Sequence, residues 1–97
     1  MPTGENAKLH ATVLGRVQGV GFRYYVLDNA SSLNLTGWVR NRHNGTVEVL
    51  AEGEPDDLEA LLRRLHKGPT SSHVEEIKHR WEPATGEFTR FRVRMTA

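Results

Sequence analysis

Residues 15 to 23, Gly-Arg-Val-Gln-Gly-Val-Gly-Phe-Arg, place three glycines within seven positions and an arginine two residues later. Gly15, Gly19 and Gly21 permit a backbone that curls and aims several N–H groups at one point. A helical pattern begins at Phe22, so that point also receives the unpaired N–H groups and the positive dipole end of a helix start. Arg23, in the first turn, adds a planar fork of donors that matches phosphate oxygens. Loop, helix start and arginine describe an oxyanion cradle. The glycines by themselves require only a tight strand-to-helix turn.

A second segment bears on the choice: Gly37-Trp38-Val39-Arg40-Asn41-Arg42-His43-Asn44-Gly45-Thr46-Val47, with Gly53 closing the next strand. Asn44-Gly45 is a tight-turn signal between two strand-like runs, and Asn41 could merely begin that turn. Beside a glycine loop it offers more. Its neutral amide donates and accepts hydrogen bonds at once.

The elements that must bring these segments together follow from the hydrophobic period. Leu9, Ala11 and Val13 alternate with His10, Thr12 and Leu14, a first strand ending at Gly15. Phe22, Tyr25, Val26, Asn29, Ala30 and Leu33 share one stripe of a helix that fades by Asn34. Thr36 to Asn41 and Thr46 to Ala51 read as a hairpin across residues 42–45. Pro55, Asp56 and Asp57 open a second helix with Leu58, Leu61, Leu62 and Leu65 on its buried face, and Gly68-Pro69 stops it. Val74 to Glu82 reads as a fourth strand, broken by residues 83–86. Phe91, Val93 and Met95 alternate with Arg90, Arg92 and Arg94 in a short final strand.

The order β-α-β-β-α-β with a C-terminal addition predicts an α+β, ferredoxin-like two-layer sandwich. Its sheet is expected to be antiparallel, with two helices on one face and a short extra C-terminal strand. The strands that lead into helices then lie side by side, so the loop after the first strand and the end of the second face one site. Residues 1–7 read as a loose leader and 8–97 as a single domain.

Composition limits the partners. Ninety-seven residues hold one core, and 37% hydrophobic with 26% charged residues suits a globular protein. A formal net charge of +1 makes any anion site local and gives no whole-molecule attraction to nucleic acid or membrane. The absence of cysteine removes disulfide, thiolate and thiolate–metal chemistry. No apolar run reaches membrane-span length and no signal peptide is visible, so a cytoplasmic protein is expected. The five histidines stand at no metal-ligand spacing, and no metal or cofactor is expected. Arg90, Arg92 and Arg94 read as a solvated stripe that blunts edge pairing rather than as an RNA strip.

Gly15-x-Val17-Gln18-Gly19-Val20-x-Phe22-Arg23 and Gly37-Trp38-Val39-Arg40-Asn41-x-x-x-Gly45-x-Val47, with Gly53, resemble the two signature segments of the acylphosphatase family, in order and at family spacing. The resemblance continues through Glu52-Gly53, Gly68-Pro69 and Phe91, covering roughly residues 8 to 95. Two departures are mild. Asn44 stands where many relatives have Asp, and Asn34, where relatives often have Gly, tolerates a left-handed backbone.

The resemblance implies metal-independent hydrolysis of acyl phosphates by a monomer acting on a small-molecule substrate. Arg23 and the loop amides of Arg16, Val17, Gln18, Gly19 and Val20 would hold the phosphoryl group, and Asn41 would orient the attacking water. A chain with its own Met1 is expected to be a free-standing enzyme rather than a module of a larger maturation enzyme. A non-catalytic anion-binding regulator of the same fold is the alternative. An RNA-recognition module is disfavoured because strands one and three carry no aromatic residue, and a dinucleotide site because Tyr24 stands where the third glycine would be.

Overall fold

Seven elements follow one another in the computed structural model, which describes residues 5–97. They are β1 (Ala7–Arg16), α1 (Phe22–Ser32), β2 (Thr36–Asn41), β3 (Val47–Gly53), α2 (Pro55–Lys67), β4 (His73–Pro83) and β5 (Phe91–Val93). Residues 1–4 of the expected leader lie outside the described residues, and Ala7 already belongs to β1. Each element forms where its apolar period predicts. Leu9, Ala11 and Val13 of β1, Val39 of β2, and Val47, Val49 and Ala51 of β3 are fully buried on one face of the sheet. Phe22, Val26 and Ala30 of α1 and Leu58, Leu61 and Leu65 of α2 pack onto that face. Burying a side chain of this size contributes roughly 1.5–3 kcal/mol. The helix stripes therefore fix both helices to the same side.

The strand order is β4-β1-β3-β2-β5. The first four strands are antiparallel to their neighbours, as expected, but β5 runs parallel to β2, pairing Gly37 with Phe91 and Val39 with Val93. The sheet is therefore mixed. The chain leaves β4 at one end of the sheet, crosses to the far edge at that same end, and must then rise beside β2 in the same direction. Glu52, buried at the end of β3, pins the crossing. Its carboxylate accepts from the Thr85 N–H at 3.0 Å, the Thr85 hydroxyl at 2.8 Å and the Gly86 N–H at 3.0 Å. Asn34 adopts a φ of 59° between α1 and β2, the left-handed conformation its type allows.

The face of the sheet away from the helices carries charge in place of a second apolar layer. Glu48, 7% exposed, receives Arg40 Nε at 2.8 Å and Arg42 Nη1 at 3.0 Å on one oxygen, and the His10 ring nitrogen lies 2.6 Å from the other. His10 is thus part of a cluster rather than an isolated surface histidine. Arg40 and Arg94 lie over the Trp38 ring, 4.7 and 5.1 Å from its centroid. One member of the C-terminal arginine stripe therefore stacks on an aromatic face.

Burial pushes the Glu48 carboxyl upward, but hydrogen bonds from His10, Arg40 and Arg42 outweigh it and hold the pKa at about 2. An acid whose folded pKa is depressed stabilises the protein above its unfolded value, and that stability fades as pH falls through the folded value. The window here runs from 4.5 down to about 2. Glu48→Gln is expected to flatten the pH dependence of urea unfolding in that window by on the order of 2 kcal/mol. A variant that keeps the wild-type slope would assign the acid sensitivity to other carboxyls.

Candidate active site

At the end of β1 the register slips between Leu14 and Gly15, and the chain leaves the sheet at Arg16. Two side chains then fix the loop. Val17 is 1% exposed and plugs into the core. Gln18 reaches across to the hairpin, where its amide Nε2 donates to the Arg42 carbonyl at 2.7 Å and to the Thr46 carbonyl at 2.9 Å. Both of its N–H bonds are used. The loop is held by an apolar anchor on one side and a polar staple on the other.

The backbone between these anchors and α1 requires left-handed geometry. Gly19 has φ of 73° and Gly21 has φ of 78°, and a Cβ on either would meet nothing within 4 Å. Conformation, not crowding, demands glycine here. Gly21 is the N-cap of α1, and no side chain caps the helix or places an acid in its first turn. The contrast with α2, whose first turn carries Asp56 and Asp57, is direct. Among the described residues, no backbone amide from Gln18 to Tyr24 donates a hydrogen bond. A helix start with free donors and an arginine inverts the usual capping chemistry and has the electrostatics that suit an anion.

Asn41 closes the site from the hairpin. Val47 of β3 lies opposite Val13 of β1 on one side and opposite Asn41 of β2 on the other. The ends of β1 and β2 therefore converge across β3. Asn41 Oδ1 is buried and is the one such side-chain oxygen or nitrogen among the described residues with no hydrogen-bond partner. A buried acceptor left without a donor costs about 1–3 kcal/mol, so this one is kept for something outside the chain. Val17, Gly19, Gly21, Phe22, Arg23, Tyr24 and Asn41 line a cavity of about 170 Å³.

Of the residues expected from sequence, Val17, Gly19, Arg23 and Asn41 line this cavity, while Gly15, Arg16, Gln18 and Val20 do not. Gly15 serves the exit from the sheet, since a Cβ there would stand 2.2 Å from the His73 carbonyl oxygen. The hairpin turn is three residues long: the Arg42 N–H bonds the Thr46 carbonyl at 2.9 Å, and Asn44 Oδ1 accepts from the Thr46 N–H at 3.1 Å. Two features escaped sequence reasoning. Tyr24, 65% exposed, forms a wall of the cavity, and its place beside Arg23 was the signal available. The Ala97 N–H also bonds the Asn41 carbonyl at 3.1 Å, a contact no motif announces. Among the described residues, no three His, Cys, Asp or Glu side chains group as metal ligands.

A two-layer ferredoxin-like sandwich with a cavity between a glycine loop, an uncapped helix start and a hairpin defines the class of protein. The comparisons with known proteins narrow it. A family model for acylphosphatases matches residues 9–93. An acylphosphatase of Salinibacter ruber is 45% identical over 94 residues, 97% of this chain and 99% of that protein. A crystal structure of acylphosphatase from Bacillus subtilis and a structure of an acylphosphatase from Coxiella burnetii are each 38% identical, with TM-scores of 0.88 and 0.87. The first covers 91% of this chain and the second 97%, with 98% of the solved chain matched in both. The chain belongs to the acylphosphatase family.

The staple carries a prediction. Gln18→Ala removes both bonds to the hairpin and is expected to cost about 1–2 kcal/mol of stability. It should also weaken inorganic phosphate binding several-fold, because the loop amides lose their fixed direction. Gln18→Glu should be worse, since a carboxylate would face two carbonyls beside an anion site. Isothermal titration with phosphate checks both variants; wild-type affinity in each would show that the loop holds its shape without the staple.

Proposed function

We propose that Arg23 and the backbone amides of the 16–20 loop hold the phosphoryl group of an acyl phosphate while Asn41 orients the water that attacks it. The protein is an acylphosphatase, hydrolysing the carboxyl–phosphate bond to a carboxylate and inorganic phosphate. The observation that carries the residue assignment is the unpartnered, buried Asn41 Oδ1 on the same cavity as Arg23 and the uncapped start of α1.

The chemistry suits so sparse a set. A phosphoryl group in transfer spreads charge over its equatorial oxygens, and positioning with charge stabilisation is most of what it asks of a protein. Amide donors and a guanidinium supply that stabilisation without rearranging. The leaving group is a carboxylate, stable as an anion at neutral pH, so no general acid is needed. Asn41 is no base; it accepts a hydrogen bond from the water and fixes its approach. The P–O bond to the acyl oxygen breaks as the water oxygen bonds phosphorus, and the water's proton passes to a phosphoryl oxygen. The amides of Gly21, Phe22 and Arg23, free among the described residues, extend the cradle beyond the loop expected from sequence.

The same reading has one domain over residues 8–97 acting as a monomer, in the cytoplasm, on free small-molecule acyl phosphates without metal, nucleic acid or membrane. The near-neutral charge supports the second half of this, as a net +1 gives no general pull towards polyanions. No helix among the described residues is long and apolar enough to cross a membrane.

Purified protein is expected to hydrolyse an aryl acyl phosphate at neutral pH with chelator present. Arg23→Gln should fall below about 10⁻³ of wild-type turnover and lose phosphate binding. Asn41→Ala should lose about 10²-fold in kcat and keep its inhibition constant for phosphate nearly unchanged. Phosphate bound equally by Arg23→Gln would remove Arg23 from the cradle. Phosphate bound by a wild type that turns nothing over would support the regulatory alternative.

A further inference from the structure

We propose that Arg42, whose guanidinium lies outside the catalytic cavity, is a positioning residue that holds Asn41, the hairpin half of the active site, through its ties to Glu48 and Ala97. The proposal rests on the assignment of Asn41 and the 16–20 loop given above. Arg42 begins the hairpin turn next to Asn41, on the opposite face of the sheet from the cavity. Its backbone carbonyl accepts the shorter of the two Gln18 bonds, at 2.7 Å, so the phosphate loop is tied to the main chain of this residue. Its guanidinium meanwhile donates from Nη1 to Glu48 at 3.0 Å and from Nε to the Ala97 carbonyl at 3.1 Å.

Each of those acceptors is itself fixed. Glu48 is held by Arg40 Nε at 2.8 Å, with the His10 ring nitrogen 2.6 Å from its other oxygen, and follows Val47 directly in β3. Ala97 donates its N–H to the Asn41 carbonyl at 3.1 Å and accepts the His43 N–H at 3.0 Å. Asn41 thus stands between Val47 of β3 and Ala97, and the planar fork of Arg42 joins Glu48, the residue after Val47, to Ala97. A guanidinium does this with donors in a rigid plane, which a lysine ammonium cannot reproduce.

The consequence is specific. Loss of the fork leaves Val47 and the main-chain bonds of Ala97 to Asn41 and His43 in place but cuts the side-chain tie from Ala97 to β3, so the tilt of the asparagine, and hence of its water, is less firmly held. The loop amides and Arg23 keep their anchors in Val17, Gln18 and α1. Arg42 should therefore act on the chemical step and spare phosphate binding.

The test compares Arg42→Met, which keeps most of the stem, with Arg42→Lys, well below the unfolding midpoint of each. Arg42→Met is expected to lower kcat about tenfold, with KM and the inhibition constant for phosphate within about twofold of wild type. The Asn41 side-chain amide signal in ¹H–¹⁵N spectra should shift, and Arg42→Lys should fall between the two. Adding Glu48→Gln to Arg42→Met should lower kcat little further, because both remove the same tie. Unchanged kcat with an unmoved Asn41 signal in the folded variants would overturn the proposal, as would a rise in the phosphate constant that accounts for the whole loss. A wild type without turnover would instead defeat the assignment of the site, while the Asn41 signal would still report whether Arg42 positions it.

Discussion

Backbone amides at the start of a helix have no partner within that helix, and something else must satisfy them. At α2 the acids Asp56 and Asp57 stand in the first turn and complement the dipole. At α1 the protein supplies neither cap nor acid, and adds Arg23 where a carboxylate would ordinarily help. The free donors raise the energy of this helix start in water-poor surroundings and lower it when an oxyanion arrives. The interaction is left incomplete within the chain.

Keeping such a helix start folded requires firm support close by. Phe22 and Val26 bury the first turns of α1 against the sheet, and Val17 buries the loop that precedes it. Each contributes on the order of 2 kcal/mol, enough to offset the free amides and the buried Asn41 Oδ1. The polar staple from Gln18 then sets the direction of the loop. Apolar anchoring provides the stability, and hydrogen bonding provides the aim. A loop held only by hydrophobic contact would slide, because such contact has no preferred direction.

What the sequence revealed depended on how far apart the interacting residues lie. The glycine loop, the uncapped helix with Arg23, and the Asn44-Gly45 turn are local patterns, legible because glycine, asparagine and arginine have distinctive geometry. The buried faces of both helices were legible from their period. The direction of β5 was not: Phe91 pairs with Gly37, and no local preference says which way a returning strand will run. Gln18 reads locally as another loop residue, yet its partners lie 24 and 28 residues on. His10 reads as a surface histidine because Glu48 is 38 residues away. Asn41 was visible as a chemical group, but its unpartnered oxygen is a property of the folded surroundings.

The sheet also separates charge. Glu48 and Glu52 are the two buried acids among the described residues, and alternation along β3 places both on the face away from the helices. There they are neutralised by His10, Arg40, Arg42 and, at 3.9 Å, Lys8. Among the described residues no carboxylate lines the cavity that holds Arg23 and Asn41, so an anion placed there would meet no competing acid. A register slip of one residue in β3 would turn both acids into the core beneath the helices. The valines of β3 therefore do more than fill the core: by fixing the register, they determine which face of a nearly neutral protein carries the acids and keep both away from the cavity that holds Arg23 and Asn41.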